Sequence, residues 1–372
     1  MIPNSCLRLV RRRRPGPGDE AFAKRRGSCH DRREHQRPNH RKGRAIFADA
    51  LTDFAARSGD RRTALAPLIA GLTAPLSVEV LGRRGVGRRT VAAALRTAGV
   101  SVVDGRAADL AVLVIAETLK PEDTAMLAAA RVPVLIVLNK ADLSGAAGGG
   151  PVARAQLRAT ECRARTGVPT VPLIGLLACA ALDAELVAAL DVLVHHPADL
   201  RSTDAFLDGG HDLDRAVRER MLAALDRFGI AHAVLALGRG ADPQALPGML
   251  RRLSGIDEVL AAIDRLAAPV RYRRVRSALA ELQVLAVRSG DDALSDFLAA
   301  DDTVLAVMAA AVDVVAAAGL DVDPADDQAA HLRRAVRWRR YGRGPVSALH
   351  RECAADISHG SMRLLGIGRH AR

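Results

Sequence analysis

Two unbroken apolar runs, Leu110–Ala116 and Val132–Leu138, constrain the fold more than any other feature of this 372-residue chain. A strand that is apolar at successive residues has no side to give to water, so both of its faces must be covered. Helical patterns bracket the runs at Val91–Ala98, Pro121–Arg131 and Val152–Thr166, the second with proline in its first turn. Shorter stretches at Leu76–Leu81, Val100–Asp104 and Val168–Leu177 read as further strands, and Ala146–Pro151 as a Gly-rich loop. Strands alternating with helices predict an α/β unit whose mostly parallel sheet has about five strands, with the strand before Asn139 central.

Elsewhere the period is helical. Ala45–Leu72 carries Ile46, Leu51, Phe54, Ala55, Leu65, Leu68 and Ile69, with a break near Ser58-Gly59-Asp60. Beyond Asp183 strand signals nearly vanish. Leu213, Val217, Met221, Leu225 and Phe228 form one stripe, Ile256–Leu266 a second, and Tyr272, Val275, Leu279, Leu282 and Ala286 a third. Asp292–Leu320 and Ala329–Tyr341 continue the habit. Thr303–Leu320 is the longest apolar run, but it contains Asp313 and reads as a buried helix rather than a membrane span. Aromatic residues are only 2% of the chain against 49% hydrophobic, so the core must be built of Ala, Leu and Val. The expected organisation is a disordered basic tail over 1–45, an N-terminal helical segment over 46–75, an α/β domain over 76–195, a helical bundle over 196–345 and a flexible C-terminal tail over 346–372.

The net charge of +12 is unevenly placed. Residues 1–45 hold 14 Lys/Arg and 4 Asp/Glu, which leaves only +2 for the rest. Such an Arg-, Pro- and His-rich segment cannot bury enough surface to offset its ordering entropy, so disorder is expected. Three readings stay open for it: contact with nucleic acid or an anionic membrane, an inert tail, or translation from an upstream start codon. The five cysteines are scattered and form no CxxC pair, which fits a reduced, cytoplasmic protein. The arginines after Val10 are followed by no apolar stretch of a secretory signal. Cys29, His30, His35 and His40 match no zinc module, and His195, His196 and His211 read as solvated surface. No metal site is expected, and no nucleophile–base arrangement assigns a catalytic residue.

Gly82-Arg83-Arg84-Gly85-Val86-Gly87-Arg88-Arg89-Thr90 lies between an expected strand and an expected helix. Glycines there let successive backbone N–H groups turn inward on phosphate oxygens, and the helix N-terminus adds partial positive charge. Gly82 and Gly87 meet the spacing G-x-x-x-x-G-K-[ST], but Arg88 stands where the lysine belongs and Arg89 where the Mg²⁺-binding hydroxyl belongs. Thr90 comes one residue late. Arginine is planar and longer than lysine, and Arg89 would repel a metal. The candidate phosphate-binding residues are therefore Gly82, Gly85, Gly87, Arg88, Arg89 and Thr90, with arginine charge in place of an ion.

Asn139-Lys140-Ala141-Asp142 follows directly on a buried strand. A carboxylate at Asp142 could accept from both guanine N1–H and its exocyclic amine, a donor pair that adenine lacks. Asn139 would tie this loop to the glycine loop, and the Lys140 stem would lie along the base.

With these motifs, residues 75–190 resemble the P-loop GTPase domain of the translation-factor-related class, in its dynamin-like or Era-like bacterial branch. The likeness covers about a third of the chain. It implies GTP or GDP as the ligand. It also implies that a backbone N–H in the last strand's loop reads guanine O6, a place Gly175 occupies. Departures are large. No Asp-x-x-Gly lies between the glycine loop and Leu110, and Asp104-Gly105 has the wrong spacing. Eighteen residues separate Thr90 from Asp109, where the family carries a switch loop with its catalytic Thr and Mg²⁺-linked Asp.

The resulting expectation is a degenerate GTP/GDP-binding-like protein: a truncated P-loop GTPase-like domain followed by a helical bundle. It would have little or no intrinsic GTPase activity, would bind GTP or GDP with little place for Mg²⁺, and would act as a regulator or scaffold with a protein partner. The alternative is a pseudo-GTPase that binds no nucleotide and serves interaction alone. An active dynamin-like membrane GTPase is disfavoured by the missing switch. Arg-rich segments 8–44 and 333–343, the latter interleaved with Trp338 and Tyr341, are candidate contacts for anionic membrane or nucleic acid, so a position peripheral to a membrane stays open.

Overall fold

The computed structural model describes residues 42–57, 61–105, 108–145 and 148–370. Two helices, α1 (Lys42–Arg57) and α2 (Arg62–Thr73), precede five strands: β1 (Ser77–Leu81), β2 (Ser101–Val103), β3 (Leu110–Ala116), β4 (Val134–Asn139) and β5 (Thr170–Leu173). All pairs are parallel, in the order β2-β1-β3-β4-β5. Six of the seven β3 residues are buried. Fully burying a Val, Leu or Ile contributes on the order of 1.5–3 kcal/mol, before the entropy of ordering is subtracted. The alternating pattern is thus an α/β unit, as its sequence implied. β4, expected at the centre, is interior, but β3 takes the middle place.

The helices within the sheet region are α3 (Arg88–Thr97), α4 (Pro121–Ala129), α5 (Gly150–Thr166) and the one-turn α6 (Gly175–Ala178). After them come α7 (Ala184–His195), α8 (Thr203–Asp208), α9 (Arg215–Gly238), α10 (Leu246–Ser254) and α11 (Ile256–Ser289). α12 (Asp292–Ala299), α13 (Asp301–Ala317), α14 (Gln328–Gly342) and α15 (Ala348–His370) complete the chain.

Three cores organise these elements. One sheet face, with Val78, Val112, Val114 and Val137, packs against α3 and the first half of α11 through Ile256, Val259 and Ile263. The other face, with Leu113, Ile115, Ile136 and Leu138, is covered by α5 to α10 through residues such as Ala155, Leu190, Phe206, Met221 and Leu250. The third core is a helical bundle of α1, α2, α13, α14, α15 and the second half of α11, centred on Phe47, Tyr272, Leu282, Val315 and Trp338. α11 is about 50 Å long at 1.5 Å per residue, and so belongs to two cores. Asp109 fastens them: it accepts from Ser77 N at 2.9 Å, and both of its oxygens accept from Arg274 Nη2 at 2.8 and 2.9 Å, while Arg274 Nη1 donates to the Ala74 carbonyl.

Several expected boundaries shift. Residues 196–254 pack on the sheet, so the unit expected to end at 195 runs on to α10; a helical stripe shows that a face is apolar, not what covers it. The N-terminal helical segment joins the C-terminal bundle rather than standing apart. Residues 346–372 are not a flexible tail over their described part: α15 buries Cys353, Ala354 and Ile357 at helical spacing. The tail expected over 1–45 gives way to helix at Lys42, where Arg44 donates to the Ala74 carbonyl. Residues 1–41, including Cys29, His30, His35 and His40, and the break at Ser58-Gly59-Asp60 lie outside the described residues. Thr303 lies in a helix buried within the bundle. α9 is long and apolar enough to cross a membrane by length and composition, but Asp226 breaks it and its Met221, Leu225 and Ile230 face the sheet core.

Candidate functional site

In a parallel sheet every strand ends on the same edge, and ligands bind where the chain turns opposite ways from neighbouring strands. Here that point lies between β1, whose chain crosses to β2 on one side, and β3 on the other. The glycine loop follows β1. Glu117 (φ 63°) follows β3, Lys140 (φ 59°) follows β4, and Gly175 follows β5. The sequence motifs therefore converge on one edge.

Asn139 joins them. It is 4% exposed at the end of β4. Its Nδ2 donates to the Val86 carbonyl at 2.9 Å, and its Oδ1 accepts from Gly175 N at 3.0 Å. Gly87 lies directly beneath, left-handed at φ 85°, and a Cβ there would collide with Asn139 Nδ2. A Cβ on Gly175 would stand 2.9 Å from Asn139 Oδ1. The tie expected for Asn139 is present, and it explains both glycines.

The loop's cations divide into two groups. Arg83 turns away and donates from Nε to Asp123 at 2.9 Å. Asp123 is fully buried and also accepts from Lys120 N, capping α4. Arg84, Arg88 and Arg89 are exposed, and none has a side-chain partner among the described residues. α3 starts at Arg88 itself, so Arg88, Arg89 and Thr90 form its first turn. Among the described residues, no backbone N–H from Arg83 to Thr90 donates within the protein. Thr90 faces inward: its Cγ2 lies 3.5 Å from where a Gly175 Cβ would stand, and its carbonyl receives the Cys179 thiol.

The segment around Gly175 corrects the expected strand Val168–Leu177. β5 stops at Leu173, and Gly175 opens α6, because Ile174 N turns to the Ser254 carbonyl at 2.9 Å. Gly150 and Pro151, read as loop, form the first turn of α5.

Asp142 lies in a 3-10 turn, Ala141–Leu143, beyond the αL residue Lys140. Burial raises its carboxyl pKa above the ordinary range. A backbone hydrogen bond opposes this, the Asp226 carboxylate reinforces it, and Lys140 opposes it. Asp226 was not legible in the sequence, where it is one polar residue inside a helical stripe. It interrupts α9 with φ 51° and ψ 175°. Asp104, set aside for its spacing, is exposed immediately after β2 on the same edge.

His195, His196 and His211 gather no metal ligands. His211 Nε2 contacts the His196 carbonyl at 2.6 Å, and Asp212 lies 3.6 Å from His196 Nδ1. Among the described residues no group of three or more His, Cys, Asp or Glu could hold a metal ion. The expected aromatic-basic stripe is reorganised too: Trp338 is 2% exposed, and Arg334 is buried. Arg334 donates to the carbonyls of Asp323 and Ala325 and to Ser361 Oγ.

No family model matches the chain, and no curated protein matches it.

Proposed function

We propose that this chain is a degenerate GTPase-like protein that binds GDP or GTP at the carboxyl edge of its sheet and hydrolyses little or none of it. The observation that carries the reading is the Asn139 bridge, which holds the glycine loop and the Gly175 loop at one fixed spacing. The free N–H groups of Arg83–Thr90 supply a backbone nest for the phosphates, and the first turn of α3 adds its dipole. Arg84, Arg88 and Arg89 supply the positive charge. Asp142 accepts from the guanine donors, and Gly175 N is held by Asn139 rather than left to the base.

Mg²⁺ does not fit this arrangement. Arg89 stands at the position of the ligating hydroxyl, and the first hydroxyl residue, Thr90, comes one residue later, within the first turn of α3. Phosphoryl transfer depends on positioned charge and an aligned water. The segment that would provide the second is reduced to the eighteen residues between Thr90 and Asp109. The protein then serves as a regulator or scaffold, read out through α11, whose start is bonded to the Gly175 loop by Ser254.

Fluorescent GDP titrated into the full chain tests the reading. Saturable binding displaced by GTP and GDP, but not by ATP, supports it. Absence of binding at millimolar nucleotide supports the other reading, an interaction protein that has kept the fold and emptied the site.

A further inference from the structure

The face of α14 that the nucleotide reading leaves unused has its own chemistry. From Gln328 to Arg343 the chain carries six arginines and no Asp or Glu. Arg334 is turned into the bundle, and Trp338 is buried. Leu332 and Val336, one turn apart, are instead 53% and 57% exposed. With Leu320 they line an open groove of about 580 Å³, rimmed by Arg333, Arg337 and Arg340. Arg339 and Arg343 are exposed beside it. Of the acids on the segment before α14, Asp323 pairs with Arg333 at 3.4 Å and Asp326 lies 3.4 Å from His331, while Asp321, beside Leu320, is exposed. Arg337, Arg339, Arg340 and Arg343 have no acidic partner among the described residues.

We infer that this face docks on an anionic phospholipid surface, with Leu332 and Val336 entering the headgroup layer and the surrounding guanidinium groups on lipid phosphates and carboxylates. A helix with exposed aliphatics ringed by arginine is suited to lie in that interface. Nucleic acid fits less well, because stacking on bases needs free aromatic faces: Trp338 is covered, and Tyr341, which also lines the groove, is only partly exposed, with its ring against Trp338 and its hydroxyl on His350. This inference holds whether or not a nucleotide binds.

Flotation of the full chain with phosphatidylcholine vesicles, with and without phosphatidylserine at about a third of the lipid, tests it. Binding is expected only with phosphatidylserine and is lost at high salt. Leu332→Ser/Val336→Ser and, separately, Arg337→Gln/Arg340→Gln are each expected to weaken it on the order of tenfold. Thermal melting should be unchanged, since these side chains are exposed; should one pair disturb folding, the other carries the test. No binding to phosphatidylserine vesicles, equal binding to pure phosphatidylcholine, wild-type binding by a folded variant, or displacement from the vesicles by a single-stranded oligonucleotide would each overturn the inference.

Discussion

Asn139 Oδ1 accepts the backbone N–H of Gly175 at 3.0 Å across 36 residues of chain, and the same side chain donates to Val86. Both partners are buried and have no alternative. Asn139→Ala is expected to destabilise by on the order of 2–4 kcal/mol, since it leaves a buried donor and a buried acceptor unpaired. Denaturant midpoints check this. A loss below about 0.5 kcal/mol would mean that the two loops hold their spacing without Asn139.

Gly85 and Gly87 share a φ of 85° but not their surroundings. A Cβ on Gly85 meets nothing within 4 Å, whereas one on Gly87 collides with Asn139. Gly85→Ala is expected to cost about 1–2 kcal/mol, the left-handed strain alone. Gly87→Ala is expected to cost clearly more and to abolish nucleotide binding. Equal losses in the two variants would show that Gly87 and Asn139 are not packed as described.

How far these relationships were legible depended on how local their cause is. β3 could be read as Leu110–Ala116, because seven apolar residues in a row have one solution. The Asn139 tie was legible because its motif and its strand adjoin. What covers each sheet face was not, because Met221 or Phe206 carries no mark of its partner. The αL turn at Asp226 and the burial of Arg334 come from tertiary context and left no local trace. The turn after Leu173 was missed for the same reason: Ile174 N finds Ser254, which lies 80 residues further on.

The Arg274–Asp109 clamp sets an acid limit. Burial alone would raise the Asp109 carboxyl, but hydrogen bonds from Ser77 and Arg274 and the Arg274 charge outweigh it, so the folded pKa lies below its ordinary value. A carboxylate depressed in the folded state contributes stability above its unfolded pKa of about 4 and loses it as pH falls through the folded value. Arg274→Gln is expected to lower the melting temperature at pH 7 and to narrow its difference from wild type as the pH drops below about 4. A gap that stays constant down to pH 3 would assign Arg274 a packing role only.

GTP turnover by the purified chain is expected to be near background. In the proposed site Arg88 stands where the lysine would and Arg89 where the metal ligand would, and only eighteen residues separate Thr90 from Asp109, where the resemblance expects a switch loop. Each loss typically costs orders of magnitude in rate. Phosphate release is the assay, and Mg²⁺-dependent turnover well above that of Arg88→Ala would contradict the expectation.

The most direct measurement of the central claim is the affinity of wild type and Asp142→Asn for fluorescent GDP, with Mg²⁺ and with EDTA, from pH 5 to 8. Wild type is expected to bind equally well with and without the ion. On acidification its affinity should fall at a higher pH than for an ordinary carboxylate, because burial favours protonated Asp142 and guanine needs the ionised form. Asp142→Asn is expected to weaken binding about 10- to 100-fold, the loss of one charged hydrogen-bonding partner of about 1.5–3 kcal/mol, and to remove the pH dependence. Unchanged affinity in Asp142→Asn, or binding that requires Mg²⁺, would contradict a guanine site that reads the base through Asp142 and holds its phosphates with arginine.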